Sequence, residues 1–431
     1  MIMTCIFLQF YLFFLYLCVT LIHLYMKIIH TSDWHLGQEL YSFDRTEEHV
    51  SFLAQLEQIV ATERPDVLVV SGDIYHIASP SNIVMRLFTD HLDNIRRACP
   101  TMKIVVTAGN HDSSARLEVS RTLWGHLGVY IVGRIEKESD SVLFDHHIIP
   151  IEGESGEVKG YIVALPFVPP QAFPVVKPNT PREERQSAFL EVLAEELQKI
   201  NTANKPVVMM AHMAISGSDI TGHDQVQGGM EYINPTELKV DFDYLALGHI
   251  HCPQFVNVDR GAAVARYCGS PIPVSFDENY VHSVTIVSID EHGSKPVVEV
   301  VPIKNPWPLK TVPKEAVGFE EALKYLENLP EDEQSYIRLH VKLNDLPPQS
   351  AMERATAAMK GKKSRFCCFK WERKEQEVQR KRSFIDVDQM KSTSPLEIAQ
   401  LYYENKYGEP LSEELSDMLS DIIKQVQHSQ H

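Results

Sequence analysis

The sequence predicts an α/β protein: a β-sandwich flanked by helices, followed by a small α/β unit and a C-terminal helix pair. Three observations predict it. Short apolar, β-branched runs recur at residues 27–30, 67–71, 104–107, 207–210 and 244–247, and runs of this length read as strands buried on both faces. Helical stretches lie between them; residues 46–62 set Leu53, Leu56 and Val60 on one face. Each of the five runs leads into a short polar motif, and side chains placed just past several strand ends converge on one rim.

The motifs, in order, are Asp33-Trp34-His35, Gly72-Asp73, Gly109-Asn110-His111-Asp112, Ala211-His212 and Gly248-His249-Ile250-His251. Taken singly, Asp-x-His or Gly-Asp is a chance pattern, and a buried His after a strand is more often a satisfied polar residue than a ligand. Gly-Asn-His-Asp is more specific, because three polar residues follow an apolar run and a Gly that can take positive φ. Gly-His-x-His has similar weight. Together the motifs put Asp, His and Asn donors on one rim, a set suited to divalent manganese or iron. That is the make-up of a two-metal site for cutting phosphoesters.

The later chain follows the same logic. Residues 166–181 carry six prolines and read as a surface loop beside the substrate groove. Residues 274–300 read as closing strands, and Asn305-Pro306-Trp307-Pro308 as a boundary. Residues 309–373 then spell helix 319–327, strand 336–342, helix 351–359 and strand 365–371. Residues 374–393 are a polar, charged linker. Ser394-Pro395-Leu396-Glu397 combines an N-cap, a first-turn Pro and a capping-box Glu. Two amphipathic helices follow, 395–406 and 412–427. Leu396, Ile398, Leu401 and Tyr402 lie on one face of the first, and Met418, Leu419, Ile422 and Ile423 form a stripe on the second. Such stripes need a cover.

Composition bounds the class. A chain of 431 residues with 44% hydrophobic content fits a globular protein of about two or three domains. Cys5, Cys18, Cys99, Cys252, Cys268, Cys367 and Cys368 show no paired spacing, which argues against a disulfide framework and for a reducing cytosol. The net charge of −17 lacks the basic footprint usual for nucleic-acid binding. The charge is uneven, however: residues 353–382 hold eleven Lys or Arg against four Glu. That run is either a solvated helix face or a local grip on phosphates.

In this order and context the motifs resemble those of the calcineurin-like metallophosphoesterases, and most closely the SbcD-type branch of double-strand-break nucleases. Residues 26–37, Met-Lys-Ile-Ile-His-Thr-Ser-Asp-Trp-His-Leu-Gly, resemble the start of that branch. Ser71-Gly72-Asp73-Ile74-Tyr75-His76, Ser79-Pro80, residues 108–113, Ala164-Leu165-Pro166-Phe167 and residues 248–254 continue the likeness, which is strongest to about residue 280. The resemblance implies a metal-dependent DNA nuclease of repair, recombination and replication, exonucleolytic on duplex ends and endonucleolytic on single strands or hairpins. Residues 1–25 do not fit this likeness and are read as a leader; the remaining chain divides into a nuclease domain at 26–304, a capping domain at 305–375, a linker at 376–393 and a partner-binding helical segment at 394–431. The implied cofactors are two divalent ions, Mn²⁺ first, with Mg²⁺ or Fe²⁺ as alternatives. Asp73 would bridge them. Asp33, His35 and His251 would complete one site, and Asn110, His212 and His249 the other. Asn110 suits this role because its carbonyl oxygen coordinates without adding charge. His111 would face the scissile phosphate and protonate the leaving oxygen, with Asp112 orienting its other ring nitrogen. His76 would position DNA or a water. Family members often carry a basic residue where this chain has Cys252, a thiol that is either uninvolved or a trap for a soft metal such as zinc.

The implied partners are DNA and an SbcC-type coiled-coil ATPase gripped by the C-terminal helices. Two copies of the chain would sit in a heterotetramer, cytoplasmic and acting on the nucleoid. Residues 6–25 form an apolar run near the ~20 residues a membrane helix needs. No Lys or Arg precedes Lys27, and no polar linker separates the run from the first strand. The expected reading is a segment translated from an upstream start, with Met26 as the natural beginning and no membrane association; the rival is an N-terminal anchor. Two other function classes stand beside the nuclease: a phosphatase for proteins or small phosphoesters, and a non-catalytic scaffold with a relic site.

Overall fold

The structure, a computed structural model, describes residues 25–139, 141–153, 155–220, 232–343 and 348–373, with Leu396, Gln400, Tyr403, Ser412, Leu415, Ser416, Met418 and Leu419 beyond them. The expected leader, the linker and most of the helix pair therefore lie outside the described residues. Among the described residues, no helix is long and apolar enough to cross a membrane.

Among the described residues, twelve strands make the two main sheets of the body: β1 (Met26–Thr31), β2 (Val67–Ser71), β3 (Lys103–Thr107), β4 (Val129–Val132), β5 (Ile148–Glu152), β6 (Val158–Leu165), β7 (Val207–His212), β8 (Tyr244–Gly248), β9 (Gln254–Val256), β10 (Val264–Tyr267), β11 (Ser283–Ile289) and β12 (Val297–Pro302). They form two six-stranded sheets, ordered β12-β11-β1-β2-β3-β4 and β9-β10-β8-β7-β6-β5. β1 to β4 run parallel, as do β6, β7, β8 and β10. Helices α1 (Thr46–Glu63) and α2 (Asn82–Ala98) make two of the crossovers that parallel pairing requires. Ser81 caps α2 by accepting from the Val84 N–H.

Strand alternation sorts the side chains into layers. Ile28, Val67, Val69 and Val105 meet Ile162, Ala164, Val208, Met210 and Ala246 of the other sheet. Their neighbours Ile29, Leu68, Val70, Ile104 and Val106 point outward onto Phe52, Leu53, Leu56, Val60, Phe88 and Leu92 of α1 and α2. A third helix, α3 (Arg185–Ile200), covers the second sheet with Phe189, Leu190, Leu193 and Leu197. The result is a sandwich with helices on both outer faces. Because both faces of the central strands are covered, β2 is buried at every position, which is why it reads as a continuous apolar run.

Beyond Trp307 a three-stranded sheet follows, Leu309–Val317, Tyr336–Leu343 and Arg365–Arg373. Helices Phe319–Glu327 and Ala351–Ala358 pack on it through Leu323, Leu326, Ala351 and Ala355. Tyr336 and Cys367 of this cap share a small core with Leu40, Phe276 and Trp307. Two sequence expectations change here. Leu309–Val317 is an unforeseen strand. Residues 274–282 form a loop rather than part of a strand, since β11 begins at Ser283. The chain divides into two compact units, and the first holds the body and the cap sheet as far as Val341 and Trp371. The second contains residues 342–346 and 372–431; within it Gln400 Nε2 donates to Ser416 Oγ at 3.3 Å.

Candidate metal centre

The loops after β1, β2, β3, β7 and β8 meet at one edge of the sandwich, and their backbones are unusual. Asp33, His35, Asp73 and His249 have φ of 53°, 45°, 52° and 97°. Each such non-Gly conformation costs about 1–3 kcal/mol and persists only where surrounding contacts over-determine it. Those contacts are present. Asp33 N–H donates to Gly72 O at 3.0 Å, His35 N–H to Asp73 O at 3.0 Å and His249 N–H to Asp33 Oδ1 at 3.0 Å. The adjoining glycines are equally constrained. A Cβ on Gly109 would lie 2.1 Å from Asp73 Oδ1, and one on Gly72 would lie 2.3 Å from His212 Nδ1.

The side chains converge in two groups around Asp73. In one, His35 Nε2 is 3.1 Å from His251 Nε2 and 3.7 Å from Asp73 Oδ2; donor atoms of Asp33, His35 and His251 all lie within 4.8 Å of one another. In the other, Asn110 Oδ1 is 2.9 Å from His212 Nε2 and 3.1 Å from His249 Nδ1, while His212 Nε2 is 3.4 Å from Asp73 Oδ2. His212 ends β7 instead of following it. Its Nδ1–H donates to Ser71 O at 2.9 Å, which turns Nε2 toward the cluster.

His111 and His76 stand beside these groups. Their rings stack at 5.7 Å, and His111 lies 5.0 Å from His35 by ring centroid. His111 Nδ1 is held by the His76 carbonyl at 2.8 Å. Asp112 corrects a sequence expectation, because its carboxylate does not hold the His111 ring. It accepts the N–H groups of Ile74 at 3.1 Å, Tyr75 at 2.9 Å and Gly109 at 2.9 Å. The turn after Gly109 sends adjacent side chains in different directions, so Asp112 pins one loop to another. Cys252 belongs to none of the donor clusters among the described residues; it packs against the core under the second sheet, and burial raises its thiol.

The field of the pocket calls for positive charge. Burial by itself would raise Asp73, but the rings of His212, His35 and His111 more than offset it and hold the carboxyl far below the usual range. Burial would lower His212; Asp73 and Asp33 reverse that and lift it to about 9. Burial and the Asp73 charge push Asp112 up to about 7, against its three N–H donors. Two buried carboxylates, imidazole nitrogens and an amide oxygen aimed at shared points fit a divalent metal site. Among the described residues, His35 Nδ1 has no hydrogen-bond partner although it is buried.

All ten residues singled out in the sequence come to this rim. The sequence missed Glu278, whose Oε1 is 3.3 Å from His251 Nδ1. It also missed Ser32, whose hydroxyl donates to Asp33 Oδ2. Phe167, at the start of the Pro-rich loop, sets its ring edge-on to His212 at 6.3 Å.

Comparisons with known proteins agree with this geometry. The family model described as calcineurin-like phosphoesterase matches residues 26–253. The Rhodobacter capsulatus protein SbcD, named as part of the nuclease SbcCD, is 31% identical over 314 residues, covering 70% of this chain and 76% of that protein. Its namesake in Bacillus subtilis is 30% identical over 329 residues, 74% of this chain and 80% of that one. That of Escherichia coli K12 is 33% identical over 275 residues, 60% of this chain and 65% of that one.

Proposed function

We propose that this chain, which belongs to the calcineurin-like phosphoesterase family and within it to the SbcD nucleases, is the DNA-cleaving component of an SbcCD-type complex. It is a hydrolase of phosphodiesters. The observation that carries the reading is Asp73, whose Oδ2 faces His35 on one side and His212 on the other. In this reading Asp73 would be shared by two divalent ions. Asp33, His35 and His251 would hold one, and Asn110, His212 and His249 would hold the other. The reading takes Mn²⁺ first, with Mg²⁺ or Fe²⁺ as alternatives, all of which the mixed oxygen and imidazole set accommodates. Divalent ions bound there would supply Lewis acidity, neutralising phosphate charge and making water nucleophilic at neutral pH.

The protein's own groups do the rest. His111, with Nδ1 donating to the His76 carbonyl, keeps Nε2 to hold or give a proton to the leaving oxygen. His76 stacks on that ring and limits its rotation. Asp112 keeps both loops in register. The segment after Ser394 binds the coiled-coil ATPase. The chain pairs with a second copy, a reading supported by Val119, Leu123 and Leu127, which are 81%, 70% and 47% exposed around the short helix Arg121–His126. DNA repair in the cytoplasm is the setting this assembly serves.

The test is cleavage of duplex DNA by the purified chain in Mn²⁺, with p-nitrophenyl phosphate as the competing substrate. Asp73→Ala abolishes cleavage while the fold survives, because losing the shared ligand unseats both ions. Full activity in Asp73→Ala, or in saturating EDTA, sinks the two-metal reading. Hydrolysis of p-nitrophenyl phosphate with intact DNA points to a phosphatase instead.

A further inference from the structure

Glu278 lies outside every motif that the sequence singles out, yet its buried carboxylate reaches the centre. Its Oε1 is 3.3 Å from His251 Nδ1. Its Oε2 accepts from the Val274 N–H at 2.9 Å and lies 3.6 Å from His282 Nε2. His251 presents its other nitrogen, Nε2, to His35. A carboxylate on one imidazole nitrogen fixes the tautomer and aims the opposite lone pair, which is how residues behind a metal ligand tune it.

The hydrogen bonds do not stop at Glu278. The Val274 carbonyl accepts from Gln38 Nε2 at 3.3 Å, and Gln38 Oε1 accepts from Arg45 Nη1 at 2.6 Å. Arg45 pairs with Glu48 through Nε at 2.9 Å and Nη2 at 2.6 Å, with both side chains fully buried. The Tyr336 hydroxyl donates to Glu48 Oε1 at 2.8 Å and accepts from Arg365 Nη1 at 2.9 Å. Tyr336 and Arg365 belong to cap strands. An unbroken run of hydrogen bonds therefore joins the cap sheet to His251.

We propose that Glu278 is a positioning residue for His251, and that the run through Gln38, Arg45 and Glu48 ties its position to Tyr336 of the cap. The proposal rests on His251 being a metal ligand. A buried network that merely satisfies its own members has the same hydrogen bonds, but it leaves metal affinity alone when one member is cut.

The experiment is Mn²⁺ titration of the full chain by calorimetry, with Mn²⁺ electron paramagnetic resonance to separate the two sites. Wild type is compared with Glu278→Ala, Glu278→Gln, Tyr336→Phe and the double variant Glu278→Ala/Tyr336→Phe, each checked for folding by circular dichroism. Glu278→Ala weakens one site about 10–100-fold, the usual cost of losing the group behind a ligand, and leaves the other unchanged. Glu278→Gln keeps one acceptor and falls between; it carries the test if the Ala variant does not fold. Tyr336→Phe weakens the same site by less and adds nothing in the double variant. Unchanged affinity at both sites in folded Glu278 variants overturns the role of Glu278. Additive losses in the double variant overturn the tie to the cap. Wild type that binds no pair of ions overturns the ligand reading on which both stand.

Discussion

Asp112 is the residue whose role the structure changes most, and Asp112→Asn separates the two accounts of it. The carboxylate accepts three backbone N–H groups, Ile74 and Gly109 at Oδ2 and Tyr75 at Oδ1. Asn can place its one oxygen where Oδ2 sits and keep two of them. Its NH₂ group then meets the Tyr75 N–H, donor against donor. A buried donor left without an acceptor costs about 1–3 kcal/mol, so the expected loss is about 1–3 kcal/mol. Asp112→Ala strands all three donors at about 1 kcal/mol or more each, for at least about 3 kcal/mol. Both changes also loosen Asp73, because its loop is the one that Asp112 pins. Urea denaturation measures the first effect and Mn²⁺ titration the second, which should show weaker binding at both sites. A folded Asp112→Asn with wild-type stability and metal affinity but a slowed reaction would falsify the loop-pinning account. It would return Asp112 to service of the His111 ring.

His111→Ala should still bind about two Mn²⁺ ions and lose about 10²–10⁴-fold in rate, the usual contribution of general acid catalysis; loss of an ion in calorimetry makes His111 a ligand. Gly109→Ala should cost metal affinity as well as stability, since its Cβ meets Asp73 Oδ1 at 2.1 Å; wild-type Mn²⁺ binding by this variant contradicts the close approach. Acid should destabilise the fold through His30 and His49, both held neutral by burial with their rings lowered to about 3. An unfolded His binds its proton near 6.5, so their contribution is complete above about pH 6.5. It is lost as pH falls toward 3, at up to about 1.4 kcal/mol per pH unit for each ring. Melts between pH 7.5 and 5 should show that slope, and His49→Phe should flatten it.

Much of the fold was legible because both faces of the central strands are buried. β2 coincides with the run at 67–71, and α1 buries Leu53, Leu56 and Val60 as its periodicity predicts. The cap strand Leu309–Val317 escaped detection for a physical reason. It carries Pro313, and its register with Tyr336–Leu343 shifts between Val312 and Val317, so its pattern is broken where Pro cannot donate to the ladder. The stretch 274–282 misled in the opposite way, with apolar residues that serve a loop.

The site divides along the same line. Its donors were legible because each sits within a few residues of a strand end, and strand ends announce themselves in sequence. The glycines beside them carry information too, since Gly72 and Gly109 leave room that no other residue leaves. What sequence could not supply is anything set by side-chain direction or by long-range contact. Adjacency suggested that Asp112 serves His111, yet the turn aims it at Ile74, Tyr75 and Gly109. Glu278 is 27 residues from His251 and obeys no period, because its place is fixed by a loop packed between Val274 and His282. Motifs thus give the atoms that converge on the rim. The groups that aim those atoms are scattered along the chain, and here they run from β1's loop to the cap, so a change far from any motif can alter the centre.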